Sequence, residues 1–168
     1  SKGHLHVFFG CHNKAMKHVR SVVPYDITQW EDMPIPTPRA TYSQSMRMAD
    51  GSIYLFYRAG GHKDPWSMRI SKDDGRSWSE SQPVIEMRRN FPDKQACSYN
   101  AFVPGADYKT VHCFWVYKDD DPRGNKRKYQ GMHEAVYRYN FYYAKRSVEG
   151  QWIAADGTPM SDLPVNKT

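Results

Sequence analysis

The strongest constraint on this chain is a pattern that it writes three times. Gly3-His4-Leu5-His6-Val7-Phe8-Phe9-Gly10 is followed by His18-Val19-Arg20-Ser21 and then Trp30. Gly51-Ser52-Ile53-Tyr54-Leu55-Phe56-Tyr57 is followed in the same order by Met68-Arg69-Ile70-Ser71 and Trp78. The third copy runs from Val111-His112-Cys113-Phe114-Trp115-Val116-Tyr117 to Ala144-Lys145-Arg146-Ser147 and Trp152. Each copy reads as an alternating strand, a connection, a second strand ending in a basic residue and Ser, and a turn closed by Trp. Leucine occurs only at Leu5, Leu55 and Leu163 while aromatic residues make up 14% of the chain, a balance that favours pleated strands over packed helices.

A further strand precedes the second copy at Ala40 to Arg47 and the third at Ala96 to Phe102; the first copy lacks one. Units of four short antiparallel strands recurring at this spacing are propeller blades in sequence form. The expected fold is therefore all-β, a β-propeller fragment of about three four-stranded antiparallel blades. The expected divisions are 1–36, incomplete at its start, 37–92, and 93–168 with an inserted polar loop at 118–134.

Ser71-Lys72-Asp73-Asp74-Gly75-Arg76-Ser77-Trp78 matches S-x-D-x-G-x-x-W, the Asp-box, at every fixed position. Its physics is local. The Asp accepts hydrogen bonds from the turn, Gly takes a positive φ and Trp covers the hairpin, so Asp73 is assigned no catalytic role.

The three cysteines, Cys11, Cys97 and Cys113, cannot all pair within the chain. His112 and Cys113 are adjacent on a strand and point to opposite faces, which argues against a zinc site there. No cofactor is expected; a structural metal ion is left open without assigned ligands. The net charge of +6 suits a polyanion, but the basic residues are scattered, so no nucleic-acid partner is expected. No apolar run approaches the roughly 20 residues of a membrane-crossing helix, and no membrane partner is expected.

Gly3 to Asn13 and the stretch Ser21 to Trp30 with its Pro24-Tyr25-Asp26-Ile27 together resemble the BNR-repeat family that includes the seven-bladed ulvan lyases. Ala40-Thr41-Tyr42, Phe56-Tyr57-Arg58-Ala59-Gly60-Gly61 and Tyr139 to Ala144 are similar to that family's later blades. The resemblance covers nearly the whole chain and implies about three of seven blades, an acidic polysaccharide as partner, the remaining blades of a parent chain, and an extracellular or periplasmic location.

It also implies a site. By motif and order, His12, Tyr57 and Arg69 match the lyases' catalytic histidine, tyrosine and arginine, with Asn13 beside the histidine and Arg58 as the rival of Arg69. Tyr42 and Tyr99 are expected to face the central channel and stack on sugar rings. An earlier family histidine would fall before Ser1, so the site is expected to be incomplete in this chain. The chemistry suits these residue types. β-Elimination removes the C5 proton of a uronate, which requires a guanidinium on the neighbouring carboxylate, a base for the proton and an acid for the leaving O4. His12 is the expected base or its partner, and Tyr57 the acid or base. The alternatives are a glycoside hydrolase on the same propeller, sialidase-like or rhamnosidase-like, and a non-catalytic carbohydrate-binding propeller.

Overall fold

The computed structural model describes residues 3–61, 63–87, 96–119, 137–161 and 163–165. The described residues contain thirteen strands and no helix. β1 (His6–Phe9), β3 (Lys17–Ser21) and β4 (Trp30–Asp32) form one antiparallel sheet in the order β1-β3-β4. The second has the order β2-β5-β6-β7-β8, from β2 (His12–Lys14), β5 (Ala40–Arg47), β6 (Ile53–Arg58), β7 (Trp66–Ser71) and β8 (Gln82–Ile85). The third has the order β13-β12-β11-β10-β9, from β9 (Ala96–Pro104), β10 (Thr110–Asp119), β11 (Tyr137–Ser147), β12 (Trp152–Ala154) and β13 (Pro159–Met160). The second and third sheets thus hold five strands each, where the repeat predicts four. The extra ones are β2, drawn from the loop after the first copy's opening strand, and the two-residue β13. The expected insertion at 118–134 falls mostly outside the described residues.

Period-two alternation packs the sheets face to face. Leu55 and Tyr57 point toward the first sheet, joining Met16 and Ala40 with Phe8 and Trp78. Tyr54 and Phe56 point the other way, into a larger core with Trp66, Met68, Phe102, Val111, Cys113 and Trp115. Phe56 and Phe102 stack with ring centroids 4.0 Å apart, nearly parallel, which ties the second sheet to the third. Val7 and Phe9 on the first sheet, and Val103 and Phe141 on the third, remain exposed.

The Asp-box closes the β7–β8 turn. Asp73 accepts from the Ser77 N–H at 2.8 Å and from the hydroxyls of Ser71 and Ser77, while Gly75 holds φ +83° and donates its N–H to Ser71. Trp78 does more than cover its own hairpin, since it packs edge-on against Phe8 and His18 of the first sheet.

Candidate functional site

One row of paired residues crosses the second sheet at the end opposite the Asp-box: His12, Thr41, Arg58, Trp66 and Ile85. The backbone is irregular here. The register shifts at Asn13 between His12 and Lys14, at Tyr42 between Thr41 and Gln44, and at Asn140 opposite Val116 and Tyr117. All three residues have φ between 57° and 60°. A left-handed non-glycine residue costs on the order of 1 kcal/mol, and such strain gathers where a bulge re-aims a side chain.

At Tyr42 the bulge produces a cluster. The Tyr42 ring stacks with Trp66, approaches the Tyr99 ring at 5.9 Å between centroids, and lies under the Arg58 guanidinium at 5.0 Å. A hydrogen bond with Tyr99, reinforced by burial, pushes the Tyr42 phenol above its ordinary range. The ammonium of Lys118 sits 5.2 Å over the Tyr99 ring. Arg58 is only 5% exposed, and its Nε and Nη1 have no hydrogen-bond partner among the described residues. Both amide atoms of Asn100, on the strand that carries Tyr99, are likewise buried without a partner there. Gln44 joins the two sheets beneath, donating to the Asn100 carbonyl and accepting the Phe102 N–H.

His12 is exposed on β2. The carrier strand is fixed by its neighbour. The Asn13 N–H donates to the Thr41 hydroxyl at 2.9 Å, that hydroxyl donates to the Gly60 carbonyl at 2.6 Å, and Arg39 Nε donates to Asn13 Oδ1 at 2.6 Å. Arg39 also lies 3.7 Å from the Asp64 carboxylate.

Tyr57 and Arg69 are brought together, but away from this cluster. Tyr57 is 1% exposed on the face turned to the first sheet, and its hydroxyl bonds Ser81, next to outer strand β8, at 2.7 Å. Arg69 donates from Nε to the Tyr57 hydroxyl at 3.2 Å and from Nη1 to the Ser79 carbonyl at 2.6 Å, so its guanidinium is committed within its own blade. The structure thus places Arg58, Tyr42 and Tyr99 together, with His12 and Asn13 along the same sheet end, and Tyr57 with Arg69 in a second group. Sequence reasoning missed Arg39, Thr41 and Lys118. In sequence Lys118 is the first residue of the polar insertion, and nothing in the Pro36-Thr37-Pro38-Arg39 run signals that Arg39 turns back onto Asn13.

The described residues contain no group of three metal-ligating side chains. Burial raises the Cys113 thiol well above its usual range, so it is an inert core residue.

The model of the BNR repeat-containing family matches residues 1–168. An ulvan lyase of Alteromonas sp. (strain LOR) is 32% identical over 184 aligned positions, which cover 99% of this chain and 37% of that protein. "Ulvan Lyase-PL25" of Pseudoalteromonas sp. (strain PLSV) is 29% identical with the same coverage. Among solved structures, a polysaccharide lyase PL25 ulvan lyase superposes with a TM-score of 0.85 at 28% identity, over 99% of this chain and 41% of that one. Another, bound to -[GlcA(1-4)Rha3S]-, gives 0.80 at 27% identity with the same coverage. This chain therefore spans less than half the length of the relatives it matches. With its all-β antiparallel sheets and a family match along its whole length, the chain belongs to the BNR repeat-containing family and has the fold of part of an ulvan-lyase propeller.

Proposed function

We propose that this chain carries part of the substrate site of a polysaccharide lyase that cleaves a uronate-containing, ulvan-like polymer by β-elimination. The observation that carries the reading is Arg58, a buried guanidinium held against Tyr42 with two nitrogens free of protein acceptors among the described residues. A buried cation in that state is suited to an incoming anion, and a planar fork matches a carboxylate. Arg58, rather than Arg69, is therefore the residue assigned to the uronate carboxylate. Lys118 adds positive charge beside it, and Tyr42 and Tyr99 offer ring surface and phenol groups.

His12 then takes the C5 proton, the C5–H electrons form the C4=C5 double bond, the C4–O4 bond breaks, and the departing oxygen receives a proton. The neutral phenol of Tyr42, kept protonated by its bond to Tyr99 and by burial, is suited to supply that proton. The ulvan-lyase relatives and the neighbour bound to a glucuronate–sulfated rhamnose unit support this reading of the substrate class. On the same reading, further blades of a parent chain cover Val7 and Phe9 on one side and Phe141 on the other, and the protein works outside the cytoplasm.

The test is the ultraviolet absorbance of unsaturated uronate on incubating the protein with ulvan, beside a His12→Ala variant. A rise that the variant abolishes supports elimination. Cleavage with no unsaturated product would instead mark a hydrolase.

A further inference from the structure

The structure assigns a positioning role to Thr41 and Arg39: together they fix the strand segment that carries His12 to the β6–β7 loop that follows Arg58. The inference rests on the proposed role of His12 and Arg58, and it gives Thr41 and Arg39 a role that neither the repeat nor the family resemblance assigns them. Thr41 is 2% exposed and its single hydroxyl serves both partners, accepting from the Asn13 N–H and donating to the Gly60 carbonyl. One oxygen thereby joins the residue after His12 to the residue two after Arg58.

Arg39 closes the same circuit from the surface. Its Nε donates to Asn13 Oδ1, and its other end faces Asp64, whose carboxylate accepts the Gly61 N–H at 2.5 Å. Gly60 has φ +141°, a conformation that L side chains rarely adopt, and a Cβ there would also push on the Asp64 carboxylate and stand 3.1 Å from the Arg39 guanidinium carbon, so a side chain at this position would strain the loop beside Arg39. Asn13 pays for the circuit in backbone strain at φ +60°. β2 has only two paired residues, His12 and Lys14, against β5. So short an edge segment has little pairing of its own to hold an exposed imidazole in one place; the Thr41 hydroxyl and the Arg39 guanidinium supply what the ladder does not. A displacement of about 1 Å at a catalytic group lowers rates by on the order of a hundredfold, so this anchoring bears on chemistry and not only on folding.

The experiment compares the wild-type chain with Thr41→Val, Thr41→Ser and Arg39→Gln. Two readouts are taken on each: the His12 imidazole resonances in 1H–15N spectra, and affinity for a sulfated glucuronate–rhamnose oligosaccharide by calorimetry. Thr41→Val preserves shape and removes both hydrogen bonds. It is expected to shift or broaden the His12 resonances and weaken binding about tenfold, with Thr41→Ser restoring both. Arg39→Gln is expected to move the His12 resonances in the same direction, and it remains informative if Thr41→Val does not fold. His12 resonances that stay at wild-type positions in every folded variant overturn the positioning role. If the wild type binds no oligosaccharide but the His12 resonances still respond, the substrate reading fails while the positioning role stands.

Discussion

The two junctions between neighbouring sheets are built differently. Between the second and third sheets the contact is aromatic and aliphatic, with Phe56 on Phe102, Trp66, Met68 and Trp115 buried together. Between the first and second sheets the apolar contact is small, and much of the seam is a polar clasp centred on Asp74. That carboxylate accepts from Arg20 at 2.9 Å and Arg47 at 2.5 Å, and lies 3.3 Å from His6 Nε2. His6 in turn bonds His18 through their ring nitrogens at 2.9 Å, Arg20 is also paired with Glu31, and Arg47 donates to the Gly51 carbonyl. Burial opposes the charge on Asp74, yet hydrogen bonds from Arg47 and Arg20 hold its carboxyl well below the usual carboxylate range. Burial, helped by His6 and Arg20, lowers His18 to about 4. A hydrophobic seam responds to side-chain volume and a polar one to pH and salt, so the same repeat is held to its neighbours by two separable mechanisms.

The largest effect is expected at the apolar junction. Phe102→Ala should cost about 3–5 kcal/mol in urea unfolding, because it empties the space against Phe56. Acid should discriminate between the junctions. His18 titrates near 4 when folded and near 6.5 when unfolded, so the unfolded chain binds more protons in that window and stability falls as pH drops through it. The loss is up to about 3 kcal/mol by the time pH reaches the folded value. Protonation of Asp74 adds to it below the ordinary carboxylate range, since a depressed carboxyl stabilises only while ionised. Between pH 7 and pH 4.5, hydrogen-exchange protection corrected for the intrinsic rate at each pH should therefore fall more in β1 and β3 than in β9 and β10; equal losses would break the comparison. Asp74→Asn should cost about 1–3 kcal/mol by leaving Arg20 and Arg47 short of a carboxylate. The adjacent Asp73→Asn, which touches only its own turn, should cost about 1 kcal/mol.

The contrast between Asp73 and Asp74 also shows what the sequence could yield. The Asp-box spacing identifies Asp73 and Gly75 because the hydrogen bonds that close their turn lie within eight residues, and it identifies Trp78 without showing that its ring reaches Phe8 and His18 of the first sheet. Asp74 occupies a variable position of the box, and its partners at 6, 20 and 47 are set by how sheets pack, which local pattern does not encode. The same limit governs the site. Alternation places Tyr57 and Arg58 on opposite faces of β6 but does not say which face meets the first sheet; the structure turns Tyr57 inward there and Arg58 toward Tyr42. The bulge that re-aims Tyr42 is likewise absent from the repeat, since its αL residue is a tyrosine and not a glycine.

The most direct test of the assigned anion site is calorimetric titration of a sulfated glucuronate–rhamnose oligosaccharide into the wild-type chain, Arg58→Gln and Arg69→Gln. The account predicts that Arg58→Gln weakens binding by about tenfold or more, as expected for loss of a buried charge-assisted pair, while Arg69→Gln leaves it near the wild-type value. Binding lost in Arg69→Gln and retained in Arg58→Gln would contradict it and return the carboxylate to the Tyr57–Arg69 group.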